Sequence, residues 1–234
     1  MPPLKQPEPL LVACQHALEK EVLSGHCCSK RLTEISEILP FTVAEDFLHK
    51  MLNNIPDQDL APLFTPKIKA LQLIQSKTDE LDGMTFGMIE RLVENVEKCT
   101  NLLKLDIRGS GSPERNCGVL VREILLKIDF SRELQSLKLK NFGSALLLNN
   151  PEIASEFLQK LSYLEKLEEL DVSEISLDQT CLKILLKFKT LVSLSLENSN
   201  LSSIQVLQIL TGLPRLKFLG KYKNNLQVMI FLQH

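Results

Sequence analysis

The feature that most constrains this sequence is a short motif, apolar-x-x-apolar-x-apolar, that recurs along the chain. It occurs clearly as IKALQL, LLKLDI, LQSLKL, LEELDV and LVSLSL, and in weaker form as LKFLGK. Its central residues are Leu71, Leu105, Leu137, Leu170, Leu194 and Leu219, so the steps are 34, 32, 33, 24 and 25 residues. Periods of this size predict a solenoid, in which each repeat packs on its two neighbours.

The segments between the motifs have the periodicity of helices. In residues 84–99, apolar residues recur every three or four positions and therefore share one helical face. Residues 117–128, 151–164, 178–189 and 203–213 have the same pattern. Asn150, followed by Pro151, and Asp178 are typical residues at helix starts, so they predict the beginnings of two of these helices.

Alternation of a short strand with a helix predicts the fold class. We expect an α/β leucine-rich repeat solenoid over residues 59–226, with a parallel concave sheet and convex helices. The last repeat has Lys221 where the motif calls for a buried apolar residue, which a terminal repeat tolerates. The remaining residues, 227–234, are predicted to be either a C-terminal cap or the tail of a shortened form.

Composition excludes several classes of partner. Of the 234 residues, 44% are apolar, and 27 basic residues balance 29 acidic ones to a net charge of −2. Such a balance is atypical of nucleic-acid or anionic membrane binding. The N-terminus lacks the apolar core of a signal peptide, and the six cysteines have no framework spacing. We therefore expect a cytoplasmic or nuclear protein with reduced thiols.

The sequence offers little support for catalysis. None of the four histidines has an acid and a nucleophile at a recognisable spacing. GHCC at residues 25–28 has no second pair of ligands for zinc, and RGSGSPER at residues 108–115 lacks the lysine of a phosphate-binding loop. The prediction is a protein that is not an enzyme and that has no cofactor and no metal.

The segment before the repeats has its own apolar pattern. Residues 1–8 are predicted to be disordered, and residues 9–58 to form three helices, with a break at Pro40. Leu10, Cys14 and Leu18 recur every four residues and form an apolar stripe on the first helix. This stripe has two interpretations: it caps the first repeat, or it docks on another protein.

Two stretches of this segment resemble known docking motifs. Leu10, Cys14 and Leu18 resemble the elongin BC box, although Pro9 replaces its usual preceding Ser or Thr. A second set resembles the Cullin 2 box and comprises Leu39, Pro40, Val43 and Phe47. Their order before leucine-rich repeats is similar to that of the Zyg-eleven and Zer-one family of Cullin 2 ubiquitin ligase receptors. That family also has armadillo-like repeats, which this chain does not reach.

The resemblance implies a function and a set of partners. Residues 9–58 would be a small three-helix VHL-box-like segment, with the first stripe binding elongin C and the second set binding Cullin 2. The chain would then be a non-catalytic substrate-recognition adaptor of a Cullin 2 and elongin BC ligase, partnered by elongin B, elongin C, Cullin 2 and a protein substrate. The alternative is a leucine-rich repeat scaffold that binds protein without any ligase.

Both interpretations give the sheet a binding role. Because side chains alternate along a strand, polar residues between the buried leucines face the concave side. Early strands are mainly basic there and later ones acidic, which favours a partner of opposite polarity; the alternative is a simply solvated sheet. The candidate partner-binding residues are Lys104, Asp106, Arg108, Lys138, Lys140, Glu169, Asp171 and Glu197.

Overall fold

The computed structural model describes residues 10–24, 29–54, 60–74, 94–108, 130–140, 150–172, 175–196, 199, 201–220 and 230–231. Three helices come first, and repeats of strand and helix follow. The helices are α1 (Leu10–Leu23), α2 (Ser29–Ile38), α3 (Phe41–Asn54), α4 (Pro151–Leu161), α5 (Gln179–Leu185) and α6 (Ser203–Gly212). The strands are β1 (Ala70–Ile74), β2 (Lys104–Arg108), β3 (Ser136–Lys140), β4 (Glu169–Val172), β5 (Ser193–Ser195), β6 (Phe218–Leu219) and β7 (Ile230–Phe231).

The strands form one sheet in the order of the sequence. Strands β1 to β6 are parallel, and β7 pairs with β6 in the antiparallel direction. The central residues of the sequence motif lie directly opposite one another, strand to strand: Leu71, Leu105, Leu137, Leu170, Leu194 and Leu219. The coarser part of the predicted fold class, a mixed α/β structure with a parallel sheet of six strands and helices, is confirmed.

Consecutive repeats are joined by a backbone pattern that recurs with the motif. The carbonyl of Lys69 accepts hydrogen bonds from the N–H groups of Leu103 and Lys104, at 2.7 and 3.0 Å. Each following repeat donates two adjacent N–H groups to one carbonyl of the repeat before it in the same way. The accepting carbonyls are those of Leu103, Gln135, Glu168 and Val192. Because each repeat uses its predecessor as the acceptor, the first repeat needs an acceptor from elsewhere.

The core is a continuous apolar layer that includes both the repeats and the helices before them. The six central leucines are at most 3% exposed, and the cluster extends from Val22 on α1 to Leu219 on β6. Burying a leucine stabilises a fold by roughly 1.5–3 kcal/mol relative to leaving it exposed. The three N-terminal helices therefore share one core with the solenoid.

The described convex helices begin where the sequence predicts. The Asn150 side chain accepts a hydrogen bond from the N–H of Glu152 and starts α4, and the Asp178 side chain accepts from the N–H of Cys181 and starts α5. Ser202 and Gln205 form a capping box on α6. The predicted helix at 117–128, and that at 84–99 up to residue 93, lie outside the described residues.

Helix α3 supplies the acceptor that the first repeat lacks. The Oε1 atom of Glu45 accepts hydrogen bonds from the N–H groups of Lys69 and Ala70, at 2.6 and 2.9 Å. Ala70 pairs with Lys104 in the sheet, so these two donors occupy the place that Leu103 and Lys104 have in the next repeat. The Glu45 carboxylate thus replaces the carbonyl of a preceding repeat.

Two further polar contacts hold the N-terminal helices in place. The Lys67 ammonium donates to the carbonyls of Ser36 and Glu37, near the C-terminus of α2, where a cation is favourable. Lys50 on α3 pairs with Glu19 on α1, with 2.9 Å between Nζ and Oε1. Three helices precede the repeats as predicted; their geometry does not identify a VHL box.

The C-terminal residues include one described strand. In β7, Phe231 lies opposite Phe218 and Ile230 opposite Leu219. Because β7 reverses the direction of the sheet, it ends the run of parallel pairs. Among the described helices, none has the length and apolarity that crossing a membrane requires.

We predict that Glu45→Ala lowers the free energy of unfolding by about 2 kcal/mol, because two backbone donors lose a charged acceptor. Glu45→Gln is the matched control, since its amide oxygen can still accept both hydrogen bonds. Chemical denaturation measures the stability, and hydrogen exchange measures the amides of Lys69 and Ala70. Unchanged protection of both amides in Glu45→Ala would show that the carboxylate is not their acceptor.

Candidate functional site

The open face of the sheet and the side of α3 form a groove. This open face is the side of the sheet that the sequence predicts as concave. The groove encloses about 390 Å³, and α3 is its wall, contributing Glu45, Asp46 and His49. Its floor crosses four strands and comprises Ala70, Leu71, Gln72, Lys104, Leu105, Asp106, Ser136, Lys138 and Glu169.

The floor of the groove is organised by the register of the sheet. One row across the strands runs through Gln72, Asp106, Lys138 and Asp171. The neighbouring row runs through Ala70, Lys104, Ser136 and Glu169. Polar residues therefore face the groove because their positions alternate with those of the buried leucines.

Charged side chains on this face pair with one another. Lys138 lies 2.8 Å from Glu169, between Nζ and Oε1, across two neighbouring strands. Arg108 and Asp106, two residues apart on β2, form a two-point contact, with 2.7 Å between Nη2 and Oδ2 and 3.0 Å between Nε and Oδ1. The two signs therefore meet within the groove region, whereas the sequence predicts a basic half and an acidic half.

Glu169 is held in its ionised form by its neighbours. Partial burial acts to raise its pKa, but hydrogen bonds from Lys138 and from the Ser136 hydroxyl outweigh that effect and lower it. The Ser136 hydroxyl donates to Oε2 of Glu169 at 2.7 Å. The carboxylate therefore stays charged at neutral pH, and both of its oxygens have a partner.

The residues that resemble the elongin BC box begin a continuous helix. Leu10, Cys14 and Leu18 all lie in α1, which confirms the predicted helix. Leu18 is half-buried and packs against the core, and Val22, one turn further on, is fully buried. The side chains of Leu10 and Cys14 lie outside the described part of the structure, so elongin binding stays a prediction.

The residues that resemble the Cullin 2 box are mostly buried. Leu39 and Val43 are 8% exposed and Phe47 is fully buried, so they belong to the core of this chain. Pro40 is exposed, and Ile38 and Phe41 beside it are 76% and 51% exposed. Three of the four residues that the resemblance selects are therefore buried. The exposed surface at the corner between α2 and α3 is formed by Ile38, Pro40 and Phe41.

The predicted partner-binding residues have different surroundings. Lys104 is exposed, whereas Asp106, Arg108, Lys138 and Glu169 are half-buried. Asp171 is 6% exposed, so little of its side chain reaches solvent. The side chain of Lys140, at the end of β3, and Glu197 lie outside the described part of the chain.

Sequence analysis missed the wall of the groove. Glu45 and His49 are four residues apart, a spacing that places them on one helical face. That spacing was the available signal, but it does not indicate which part of the chain this helical face lies beside. Only the packing of α3 beside β1 brings Glu45, Asp46 and His49 next to the strands.

The thiols of Cys99 and Cys181 are buried. Burial raises the pKa of the Cys99 thiol to about 12, and burial together with a hydrogen bond to Asp178 raises that of Cys181 to about 12. In the part of the chain that the structure describes, no group of three His, Cys, Asp or Glu side chains is placed to hold a metal. The GHCC stretch, residues 25–28, lies outside that part.

Comparison with known proteins gives one structural similarity. No family model matches the sequence. No curated protein sequence matches it either. Among solved structures, the chain is similar to the C-terminal domain of tropomodulin from Caenorhabditis elegans, at 12% identity and a TM-score of 0.45, over 76% of this chain and 93% of that one. This level of similarity says nothing about function.

We predict that the Glu169 carboxyl titrates below the ordinary glutamate pKa of about 4.3, and that Lys138→Met raises its pKa. Because the folded pKa is lowered, the stabilisation is present above pH about 4.3 and is lost as the pH falls through the folded value. Side-chain carboxyl NMR measures the titration. An identical Glu169 pKa in the wild type and in Lys138→Met would contradict the role of the ion pair.

Proposed function

We propose that this chain is a non-catalytic module that binds another protein in the groove between α3 and strands β1 to β4. One observation carries the proposal: a polar groove crosses four strands and is bounded by a helix that the chain holds in place through Glu45. Repeat proteins that stack their repeats into a solenoid use extended surfaces of this kind to bind other proteins. The rigid strands below the groove keep its side chains in a fixed arrangement.

The chemistry of the groove suits a protein segment better than a small apolar ligand. Small-molecule sites are mostly lined by apolar and aromatic side chains with a few polar groups. Nine of the twelve residues that line this groove are charged or polar, among them Asp46, Lys104 and Glu169, and the other three are an alanine and two leucines of the floor. A peptide offers backbone and charged groups that can satisfy such a lining.

The test is a variant that fills the groove, and Gln72→Trp is suitable because Gln72 is exposed on the floor. Gln159→Trp is the matched control, since Gln159 is exposed on α4. The 234-residue chain and both variants are used to recover proteins from cell extract. We expect Gln72→Trp to lose partners that the wild type and Gln159→Trp retain, because the indole occupies the groove. Recovery of the same partners by all three, with both variants folded, would refute the groove as the binding site.

A second candidate function is the substrate-recognition adaptor of a Cullin 2 and elongin BC ubiquitin ligase, which recruits target proteins for ubiquitination. The apolar stripe on α1 that resembles the elongin BC box supports it, and so does the exposed apolar corner at Ile38, Pro40 and Phe41. A rigid corner with exposed apolar side chains suits docking to another protein. The groove would then hold the protein substrate, so the two candidate functions are compatible.

We predict for this second candidate that the chain co-elutes with elongin B and elongin C after co-expression, and that Leu10→Ser with Cys14→Arg abolishes co-elution by removing two apolar contacts. Ala13→Ser with Ala17→Arg is the control on the same helix, since both alanines are exposed. Size-exclusion chromatography is the measurement. If the folded wild type does not bind elongins, α1 serves as a cap alone, and the protein-binding proposal stands without a ligase.

A further inference from the structure

Helix α6 presents two apolar side chains to solvent, Ile204 and Leu207, which together form the α6 face. Ile204 is 70% exposed and Leu207 is 61% exposed. The two lie three residues apart and therefore share one side of the helix. The other side of α6 serves the core, since Ile209 is fully buried and Val206 and Leu210 pack against the core cluster. The α6 face therefore contributes little to the packing of this chain.

The corresponding positions of the other two capped helices are polar. Ile204 and Leu207 are the second and the fifth residue after the N-cap residue Ser202. In α4 and α5 these positions hold polar residues that are exposed or half-buried: Glu152 and Ser155, and Thr180 and Lys183. The α4 residues stay open although α5 packs beside that helix, so a helix stacked in the same way beside α6 would not cover the α6 face. A covering segment has to approach from outside the stack of helices.

The surroundings of the α6 face are basic. From residue 178 to residue 220 the sequence has five basic residues and two acidic ones, Asp178 and Glu197. In the part of the chain that the structure describes, Lys183, Lys187 and Arg215 are exposed and take part in no ion pair. A carboxylate of a partner therefore does not have to compete with a carboxylate of this chain for these three cations.

Helix α6 lies directly against α5, the helix that carries the first of these cations. A Cβ added to Gly212 would lie 2.6 Å from Cδ2 of Leu186, so the end of α6 packs closely on the end of α5. The Lys189 ammonium also donates to the carbonyl of Gly212, at 2.7 Å. Axes of packed helices are about 8–10 Å apart. Lys183, at the position of α5 that corresponds to Leu207, is thus about one helix spacing away from it.

Acidic side chains on the same side of the molecule lie further from α6. Glu152 and Glu156 are exposed on α4, two helix spacings away, or about 16–20 Å. This distance exceeds the Debye length of about 8 Å at physiological salt, so their effect at the α6 face is screened. Among the described residues, Asp178 is the one carboxylate on α5 or α6, and it caps α5 by accepting from the N–H of Cys181. The charge beside the α6 face is therefore mainly positive.

We infer that the α6 face binds an amphipathic helix of a partner protein, whose acidic residues lie beside Lys183, Lys187 and Arg215. The apolar stripe of that helix covers Ile204 and Leu207, which are the anchors of the contact. A helix suits this surface because the neighbouring elements are helices, whose backbone groups are already bonded, so a bound segment has to satisfy its own backbone. The α6 face lies outside the groove and does not depend on the function proposed for the groove.

Two other occupants fit the α6 face less well. A second copy of this chain on the same face would bring the cations of both copies together, which like charges oppose. A bilayer is flat and would also approach Glu152 and Glu156 on α4, which an anionic surface repels. A helix about 10 Å wide is narrow enough to contact α5 and α6 alone.

The test uses the 234-residue chain and three fluorescent helical peptides, each about five turns long. The first has a stripe of leucines with glutamates beside it, the second has lysines in place of the glutamates, and the third has serines in place of the leucines. Fluorescence anisotropy measures the affinities. We expect the first peptide to bind most tightly, because it alone combines apolar cover with opposite charge. Equal or tighter binding of the second or third peptide, or no binding of the first, would overturn the inference.

Changes at the α6 face test whether the first peptide binds there. Ile204→Thr with Leu207→Ser introduces residue types that α5 and α4 have at these positions, and should weaken binding at least about tenfold. Ile204→Leu with Leu207→Met is the matched control, since it keeps the apolar surface and should keep the affinity within about twofold. Circular dichroism checks that both variants are folded. Equal affinity in the two folded variants would refute binding at this face.

Charge changes test the acidic character of the partner. Lys183→Gln with Lys187→Gln should weaken the first peptide about fivefold and reduce its salt dependence, because two exposed charges beside the face are lost. Lys20→Gln with Lys30→Gln is the matched control, since it removes two exposed lysines from α1 and α2. If both pairs weaken binding equally, only the net charge of the chain matters and the inference fails.

Two further measurements identify the other occupants. Analytical ultracentrifugation shows whether the wild type forms a dimer that Ile204→Thr with Leu207→Ser loses, which would assign the α6 face to a second copy. Co-sedimentation with vesicles of phosphatidylserine and phosphatidylcholine that the same variant loses would assign it to a membrane. Either result overturns the inference, whereas a monomer that does not bind vesicles supports it.

Discussion

The structure depends on one recurring backbone interaction: a carbonyl of each repeat accepts two adjacent N–H groups from the next. This bonding sets the register of the parallel sheet and places the central leucines of all six motifs opposite one another. A repeat without a predecessor would leave those two donors without a protein acceptor, and unmade backbone hydrogen bonds are costly when partly buried. The solenoid therefore needs a specific device at its first strand.

Glu45 is that device, and it links the start of the sheet to the wall of the groove. By accepting the N–H groups of Lys69 and Ala70, its Oε1 atom fixes α3 beside β1. Once α3 lies there, its neighbouring residues Asp46 and His49 stand over the open face and turn a sheet surface into a groove. The same helix buries Phe47 and Met51 in the core, so the wall is rigid. Capping the solenoid and building the groove are thus two results of one contact.

The N-terminal helices illustrate how one sequence pattern can support two interpretations. Val43 and Phe47 fit both a docking motif and an amphipathic helix, because both need apolar residues on one helical face. Their burial shows that the chain uses these side chains for its own core. Ile38 and Phe41, which the motif does not select, are the exposed apolar residues of that corner. A pattern of apolar spacing alone does not tell which partner covers the face.

The sequence by itself determined the local elements. The leucine spacing predicted strands β1 to β6 and their register, since a buried residue every second position selects one face of a strand. Asn150 and Asp178 predicted the starts of α4 and α5, because a cap acts on N–H groups only two or three residues away. These interactions either join residues that are close in sequence or recur in each repeat, so they can be inferred from the sequence alone.

Only the tertiary structure decided the groove. Glu45 is 24 residues from Lys69 in sequence and lies before the repeats, so nothing in their spacing indicates that they meet. The charges that looked separated along the chain lie side by side, because parallel strands bring residues about one repeat apart within contact distance. Long-range packing, which local sequence patterns do not encode, therefore set the shape and charge of the proposed binding surface.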